Sequence, residues 1–222
     1  QTTADAFDAH PVVLEDAAVE TEASDTWTKI SIDLCVGDDA VLQGFQIITD
    51  GVVYLRGGSY FVNVSHELRD VNLLLSTTTF KKEKYVTANI ELLRSQILES
   101  DEEIADHFEA LVVDNGKTLD VNTLSGSGIT ICPNDNVGGA GGFARGMIEA
   151  IESEKGFTHI LLMDDDVAVS PESIKRTYNL LRIAEGPYAN AFISGAMLNY
   201  EVGDEQWEDT GFMNTAGYCQ AT

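Results

Sequence analysis

The chain has 222 residues, enough for one large domain or two small ones, and its 44% of hydrophobic residues is close to the average of globular proteins. Its 13 basic and 37 acidic residues give a formal net charge of −24, which argues against nucleic-acid binding because that requires a basic surface. No run approaches the ~20 apolar residues of a membrane helix, and the three widely spaced cysteines suit neither a disulfide framework nor a zinc site. We therefore expect a protein of a reducing compartment, the cytoplasm.

The N-terminal part of the chain is predicted to contain short antiparallel strands. Residues 1–26 are acidic, rich in Ala and Thr and without a hydrophobic period, which predicts a loop or flexible segment. From Trp27 the stretch "WTKISIDLCV" alternates apolar and polar residues, and "AVLQGFQIIT" and "GVVYLRGGSYFVNV" continue the alternation between turn signals. The pattern predicts part of an antiparallel β-sandwich over residues 27–69.

From residue 70 onward, continuous apolar strands alternate with helices. The predicted strands are "VNLLLSTTTF", "ALVVDN", "GITICPN", "THILLMDDD" and "NAFISGAML". The predicted helices are "YVTANIELLRSQILES", "FARGMIEAIESE" and "PESIKRTYNLLRIA", and the first has helical apolar spacing at Val86, Ile90, Leu93 and Ile97. Strands that are apolar throughout are buried on both faces, so residues 70–222 are predicted to form an α/β domain with a Rossmann-like, mostly parallel sheet.

Polar, glycine-rich or charged residues follow four of these strands. The four groups are Thr77–Lys81, Asp114–Gly116, Asn134–Gly142 and Asp164–Asp166. Open parallel sheets bind ligands at the carboxyl ends of their strands. The convergence of the four groups predicts a ligand site at that edge of the sheet.

The three consecutive aspartates in "MDDDV" predict a metal site. Successive side chains of an extended segment point to opposite sides, so Asp164 and Asp166 are expected to face the same way. Two such carboxylates repel each other unless a cation lies nearby, and Mg²⁺ or Mn²⁺ suits oxygen ligands shared with substrate phosphates. The alternative is helix capping, but Ser170 and Pro171 already supply a cap and a first turn.

The stretch "NVGGAGGFARG" has more than one interpretation. Its glycines allow a ligand to approach the backbone closely, and the first amides of the following helix suit an anion. Gly139, Gly141 and Ala144 also match the dinucleotide fingerprint G-x-G-x-x-A, which would indicate a nicotinamide-dependent oxidoreductase. Against this, two strands precede the motif, and the fingerprint usually opens its domain. A purely structural glycine loop is the third interpretation.

Two further strand-end groups are weak signals by themselves. Asp114 stands beside the turn signal Asn115-Gly116, so a turn carboxylate is the simplest interpretation. Lys81 and Lys82 in "TTTFKK" place two positive charges in a chain that has few, and by themselves they are expected to be solvated.

Taken together and in this order, "TTTFKKEKYV", "VVDNG", "NVGGAGGFARGM" and "LLMDDDVAVSPESI" resemble the inverting family 2 glycosyltransferases of GT-A fold. The resemblance is closest to the bacterial galactofuranosyltransferases that extend galactan chains from UDP-galactofuranose. In that family a β-sandwich domain precedes the catalytic domain, which agrees with the division at residues 27–69 and 70–222.

The resemblance implies roles for individual residues. Asp164 and Asp166 would hold Mn²⁺ or Mg²⁺, and Asp165 would lie near the sugar. Asp114 would contact uridine, Phe80 and Lys81 the nucleotide, and Arg145 a phosphate. The implied donor-binding residues are Thr79, Phe80, Lys81, Asp114, Asn136, Gly138, Gly139, Gly141, Gly142, Arg145, Asp164 and Asp165.

The resemblance also implies what lies outside this sequence. The family's general base follows an aromatic-rich acceptor region, and we expect both beyond Thr222. The last acidic and aromatic residues of the sequence are compatible with a border of the acceptor groove, but none matches the base motif: Glu205, Trp207, Glu208 and Asp209. The implied partners are a UDP-sugar donor and a glycan or lipid-linked glycan acceptor in cell-wall or surface polysaccharide synthesis. A lipid-linked acceptor is compatible with peripheral association at the inner face of the membrane, and homo-oligomerisation is left open. A non-catalytic carbohydrate-binding protein, using the predicted β region, is the remaining alternative.

Overall fold

The structure is a computed structural model that describes residues 24–33, 46–203, 205–208, 211–213 and 219–221. The chain divides into two compact units, Gln1–Phe61 and Val62–Thr222. Most of the predicted N-terminal loop, residues 1–23, lies outside the described residues.

The predicted β-sandwich is not confirmed. The described residues 24–33 and 46–72 contain no strand, and residues 34–45 of the predicted strands lie outside the described part. Trp27, Tyr54 and Phe61 are all exposed. Alternation of apolar and polar residues marks a strand only where a neighbour supplies hydrogen bonds and a covered face, and the pattern alone specifies neither.

The second unit contains a parallel four-stranded sheet in the order β3-β2-β1-β4. Its strands are β1 (Leu73–Thr79), β2 (Phe108–Asp114), β3 (Ile129–Pro133) and β4 (His159–Asp164). Three of them fall within a predicted apolar run, and β2 begins two residues before its predicted run, at Phe108. Both β1 and β2 are buried along almost their whole length. The prediction of a Rossmann-like, mostly parallel α/β sheet is confirmed.

Helices connect and cover these strands. They are α1 (Glu83–Leu93), α2 (Val121–Leu124), α3 (Gly138–Glu152) and α4 (Pro171–Ile183), with a π-helical turn at Arg94–Leu98 and 3₁₀ turns at Glu103–His107 and Gly186–Asn190. The four apolar positions predicted for the first helix are buried, because spacings of three and four residues place them on one stripe. Among the described residues, no helix is long and apolar enough to cross a membrane.

Two apolar layers lie on opposite faces of the sheet. The larger joins Leu73 and Leu75 of β1 to residues of α1 and α4, including Ile90 and Tyr178. The smaller lies under α3, where Ala150 packs with residues of β1 and β2. Each fully buried Leu or Ile contributes roughly 1.5–3 kcal/mol, so the α1 and α4 side provides most of the apolar stabilisation.

The predicted strand "NAFISGAML" was wrong for most of its length. Only β5 (Met197–Leu198) forms, and it pairs antiparallel with β6 (Gln206–Glu208) outside the main sheet. A second short hairpin joins β7 (Gly211–Met213) to β8 (Cys219–Ala221). Phe192 is fully exposed, so the described residues supply no cover for this apolar run. Apolar composition indicates a tendency to be buried, but it does not specify a pairing partner.

Candidate functional site

The carboxyl ends of the four parallel strands meet along one edge, as predicted. Thr79 pairs in register with Asp114, Asp114 with Pro133, and Thr78 with Asp164. The four polar groups that follow the strands therefore lie side by side. This edge is the candidate site.

The acid turn, Asp164–Asp166, begins at the last residue of β4 and continues into a tight turn. Asp164 and Asp166 are exposed, whereas Asp165 is only 8% exposed. Two carboxylates thus face the solvent side of the edge while the middle one is directed into the fold.

Lys82 neutralises part of the negative charge of the acid turn. Its ammonium donates a hydrogen bond to Oδ2 of Asp166 at 2.6 Å and lies 3.3 Å from Oδ1 of Asp165. The hydrogen bond from Lys82 holds the pKa of the Asp166 carboxyl below its ordinary value, and the same bond raises the pKa of Lys82. A cation from the chain itself therefore relieves the repulsion that the three aspartates create.

Helix α1 also fixes the backbone of the acid turn. The side-chain amide of Asn89 donates to the carbonyl of Val167 at 2.9 Å. Beneath Asp165 lies a cavity of about 10 Å³ that Thr77 and Asn89 help to line, and the Thr77 hydroxyl has no hydrogen-bond partner among the described residues. The turn is thus attached to α1 at two points, Asn89 and Lys82.

The exposed carboxylates fit a hard divalent cation. The described residues hold no group of three or more His, Cys, Asp or Glu side chains arranged around a common metal position. Mg²⁺, however, usually binds proteins through one or two carboxylates and takes its other ligands from water and substrate phosphates. Asp164 and Asp166 offer that donor set on the accessible side of the turn, so the metal site stays a prediction that the donor chemistry supports.

The loop between β1 and α1 presents two of the implied nucleotide contacts. Phe80 is 46% exposed, and the ammonium of Lys81 lies 5.1 Å from the centre of its ring. Lys81 has a φ of +58°, a left-handed conformation that is uncommon for a residue with a side chain. Thr79, by contrast, is buried, and its hydroxyl has no partner among the described residues. Phe80 and Lys81 are therefore accessible to a ligand, and Thr79 is not.

Asp114 is fully buried and organises the turn that follows β2. Its Oδ1 accepts from the amide of Gly116 at 2.9 Å, and its Oδ2 accepts from the amides of Thr118 and Leu119 at 2.7 and 2.8 Å. The geometry supports the turn-carboxylate interpretation, because both oxygens already bind backbone amides. A uridine contact for Asp114 stays a prediction.

Two asparagines of the predicted strand-end groups, neither of them among the implied donor-binding residues, connect the ends of β2 and β3 to α3. The amide of Asn115 donates to the carbonyl of Gly138 at 3.2 Å, and that of Asn134 donates to Oδ1 of Asn115 at 2.9 Å. Oδ1 of Asn136 accepts from the amide of Gly138 at 3.1 Å. The sequence places both asparagines directly after apolar strands, and it places Asn115 in the turn signal Asn115-Gly116.

The glycine-rich stretch belongs to α3 and allows it to pack closely on β1. Gly138 opens the helix with a φ of +79°. A Cβ on Gly142 would lie 2.1 Å from Cγ2 of Thr78, and one on Gly146 would lie 1.9 Å from Oγ of Ser76. Close packing of α3 on β1 therefore explains why glycine stands at position 142, in line with the structural interpretation, and it also explains the glycine at position 146.

Gly139 and Gly141, the two glycines of the dinucleotide fingerprint, differ in how closely they are packed. A Cβ on Gly141 would lie 2.4 Å from Cγ2 of Val137, whereas one on Gly139 would meet open space. Both residues lie inside α3, not in a tight turn before it. The dinucleotide fingerprint places its first glycine in that turn, so the helix boundary counts against the oxidoreductase interpretation.

Arg145 is exposed on α3 and forms an ion pair one helical turn further along. Its Nε donates to Oε1 of Glu149 at 2.7 Å, and this bond raises the pKa of Arg145. A phosphate contact would require Arg145 to leave Glu149.

The sheet order, the helix-covered faces and the polar carboxyl edge define a Rossmann-like α/β protein with a candidate ligand site at the ends of its strands. No protein-family model matches the chain.

The chain is similar to two curated galactofuranosyltransferases. It is 30% identical over 189 residues, 83% of this chain, to galactofuranosyltransferase GlfT2 of Mycobacterium tuberculosis. It is 28% identical over 178 residues, 78% of this chain, to galactofuranosyltransferase GlfT2 of Mycolicibacterium smegmatis. The chain spans 28% and 27% of the lengths of these relatives.

Proposed function

We propose that the chain carries the donor-binding part of a metal-dependent, inverting glycosyltransferase of GT-A fold. The observation that carries this proposal is the similarity of most of the chain to two galactofuranosyltransferases, together with exposed carboxylates at the sheet edge where such folds bind ligands. The proposed donor is UDP-galactofuranose, in which galactofuranose follows from the names of the relatives and UDP from the motif resemblance, and the proposed acceptor is a glycan of the cell wall or cell surface.

The proposed chemistry divides between the ion and this chain. A bound Mn²⁺ or Mg²⁺ would neutralise charge on the leaving nucleotide diphosphate. Asp164 and Asp166 would hold that ion from the exposed side of the acid turn. Phe80 offers an accessible aromatic face to the nucleotide, and Lys81 offers a cation beside it. Asp165 holds the acid turn against the rest of the fold, because its side chain is buried and forms an ion pair with Lys82.

The test measures UDP binding by calorimetry with and without Mn²⁺. We expect binding that requires Mn²⁺ and that weakens about tenfold or more in Asp166→Asn, because that variant loses a charged ligand oxygen. Asp106→Asn is the matched control, since Asp106 is exposed in the 3₁₀ turn that precedes β2, at the opposite edge of the sheet. Metal-independent UDP binding, or NADH binding in place of UDP, would contradict the proposal.

The sugar requires a separate comparison. UDP-galactofuranose, UDP-galactopyranose and UDP-glucose share the diphosphate and differ in the sugar, so their affinities in saturating Mn²⁺ isolate its contribution. The proposal predicts the tightest binding for UDP-galactofuranose. Equal affinities would leave the nucleotide proposal intact and remove the galactofuranose assignment.

A further inference from the structure

We propose that Lys82 is a built-in counterion of the acid turn that competes with the divalent cation and then binds the diphosphate of the donor. In the metal-free protein its ammonium forms ion pairs with the carboxylates of Asp165 and Asp166. When the cation binds, the ammonium leaves these carboxylates and turns to the phosphates. The inference rests on the proposed function and adds a positioning and binding residue to it.

Competition follows from where the ammonium lies. Lys82 Nζ is 2.6 Å from Oδ2 of Asp166 and 3.3 Å from Oδ1 of Asp165, so it occupies the space on the inner side of the proposed metal ligands. A divalent ion coordinated by Asp166 would lie about 2.0–2.2 Å from a carboxylate oxygen. Two cations that close together repel each other, so the ion and the ammonium weaken each other's binding at this carboxylate.

The Lys82 side chain is free to move while its backbone is held. Its side chain is 42% exposed, and that of Asp166 is 50% exposed. Its carbonyl accepts from the amides of Tyr85 and Val86 in the first turn of α1, which fixes the start of the helix. A lysine stem has several rotatable bonds, so the ammonium can leave Asp166 without any change in the fold.

The charge distribution along the edge favours a diphosphate as the second partner of Lys82. Two other described cations there are already paired, Lys117 with Asp135 and Arg145 with Glu149. A third, Lys81, lies over the ring of Phe80, where the proposed function places it beside the nucleotide. A divalent ion held by Asp166 would displace the ammonium of Lys82 and leave it within reach of phosphates that share the ion. A lysine ammonium binds phosphate as a point charge and needs no fixed planar geometry.

The experiment uses Mn²⁺ alone and then UDP with Mn²⁺. Free Mn²⁺ is followed by electron paramagnetic resonance during titration of the wild type, Lys82→Met and Lys82→Gln. Lys84→Met is the matched control, because it removes the same charge from the same helix turn, and Lys84 is exposed without an ion pair to the described residues. We expect both Lys82 variants to bind Mn²⁺ about threefold more tightly than the wild type, and the control to match the wild type.

UDP binding in saturating Mn²⁺ should change in the opposite direction. We expect about tenfold weaker UDP binding in Lys82→Met and Lys82→Gln, and no change in Lys84→Met. The opposite signs distinguish a counterion from a merely structural residue, whose loss would weaken both ligands together.

Each remaining outcome is decisive. Unchanged or weaker Mn²⁺ binding in the Lys82 variants would overturn the competition between Lys82 and the divalent cation. Unchanged UDP binding in these variants would overturn the contact between Lys82 and the diphosphate. In either case, Mn²⁺-dependent UDP binding by the wild type would preserve the proposed function. If the wild type binds neither Mn²⁺ nor UDP, the proposed function fails and the inference fails with it.

Discussion

Gly146→Ala should destabilise the protein, although alanine is the better helix former. The added Cβ would lie 1.9 Å from Oγ of Ser76 and 3.0 Å from its Cβ. Rotation of the serine relieves the first contact and not the second, so α3 must move away from β1. Overpacking of this kind costs about 1–3 kcal/mol, occasionally more, against a helix-propensity gain of about 1 kcal/mol. Contacts as short as 1.9 Å belong at the upper end of that cost, about 2–3 kcal/mol, so we expect a net loss of about 1–2 kcal/mol in the free energy of unfolding.

The same helix provides the control. A Cβ on Gly139 meets open space, and its φ lies outside the left-handed range, so Gly139→Ala should stabilise the protein by about 0.5–1 kcal/mol. Urea unfolding followed by circular dichroism measures both changes, because a shift of the midpoint at constant slope reports stability. Combining Ser76→Ala with Gly146→Ala should recover part of the loss, since the nearest clashing atom is then absent. If Gly146→Ala is as stable as the wild type, or if both alanine variants lose stability equally, the close packing of α3 on β1 is refuted.

Three further predictions concern buried and charged groups. Thr77→Val should raise the free energy of unfolding by about 1 kcal/mol in urea unfolding, because the buried hydroxyl has no partner among the described residues; a loss would show that the hydroxyl is hydrogen-bonded. Asp114→Asn should lower the free energy of unfolding by about 2–3 kcal/mol in the same assay, because its amide NH₂ faces backbone donors; a neutral result would refute the role in the turn. The hydrogen bond from Lys117 lowers the pKa of Asp135 below 3.8, so the pair stabilises the fold above pH 3.8, and this contribution is lost as the pH falls through the folded-state pKa. An NMR titration should show the Asp135 midpoint rising toward 3.8 in Lys117→Met, and an unmoved midpoint would contradict the pairing.

The centre of the four-stranded sheet could be predicted from hydrophobic pattern because its two central strands, β1 and β2, are buried on both faces. Val86, Ile90 and Leu93 repeat at helical spacing, and β1 opens with three leucines that are all buried, so local pattern and tertiary burial agree. The meeting of Asp114 and Asp164 at one edge then followed from the general geometry of parallel sheets.

The pairing of Lys82 with the acid turn could not be predicted in the same way. It depends on the register that places Thr78 beside Asp164 across 86 residues, and nothing local to Lys82 specifies that register. The start of α3 was also missed, because glycine has low helix propensity and the run from Gly138 was interpreted as a loop. Close approach to Ser76 and Thr78 outweighs that propensity, and only the packed structure shows it.

The segments that failed as strands share one physical cause. Residues 190–196, and residues 27–33 and 46–64 of the alternating stretches, carry apolar residues suited to a covered sheet face, yet the described residues give them no strand partner. A strand requires hydrogen bonds from a neighbour as well as an apolar face, and the second requirement alone is visible in the sequence.

The central claim is that the acid turn and a nucleotide diphosphate share one divalent ion at the carboxyl edge of the sheet. The most direct measurement is a crystal structure of the chain with UDP and Mn²⁺, with anomalous diffraction to locate the manganese. The account predicts an anomalous peak within about 2.0–2.2 Å of a carboxylate oxygen of Asp164 or Asp166, and the ion in contact with the UDP phosphates. UDP bound away from this edge, or bound here with Lys82 still on Asp166 and no manganese between them, would contradict it.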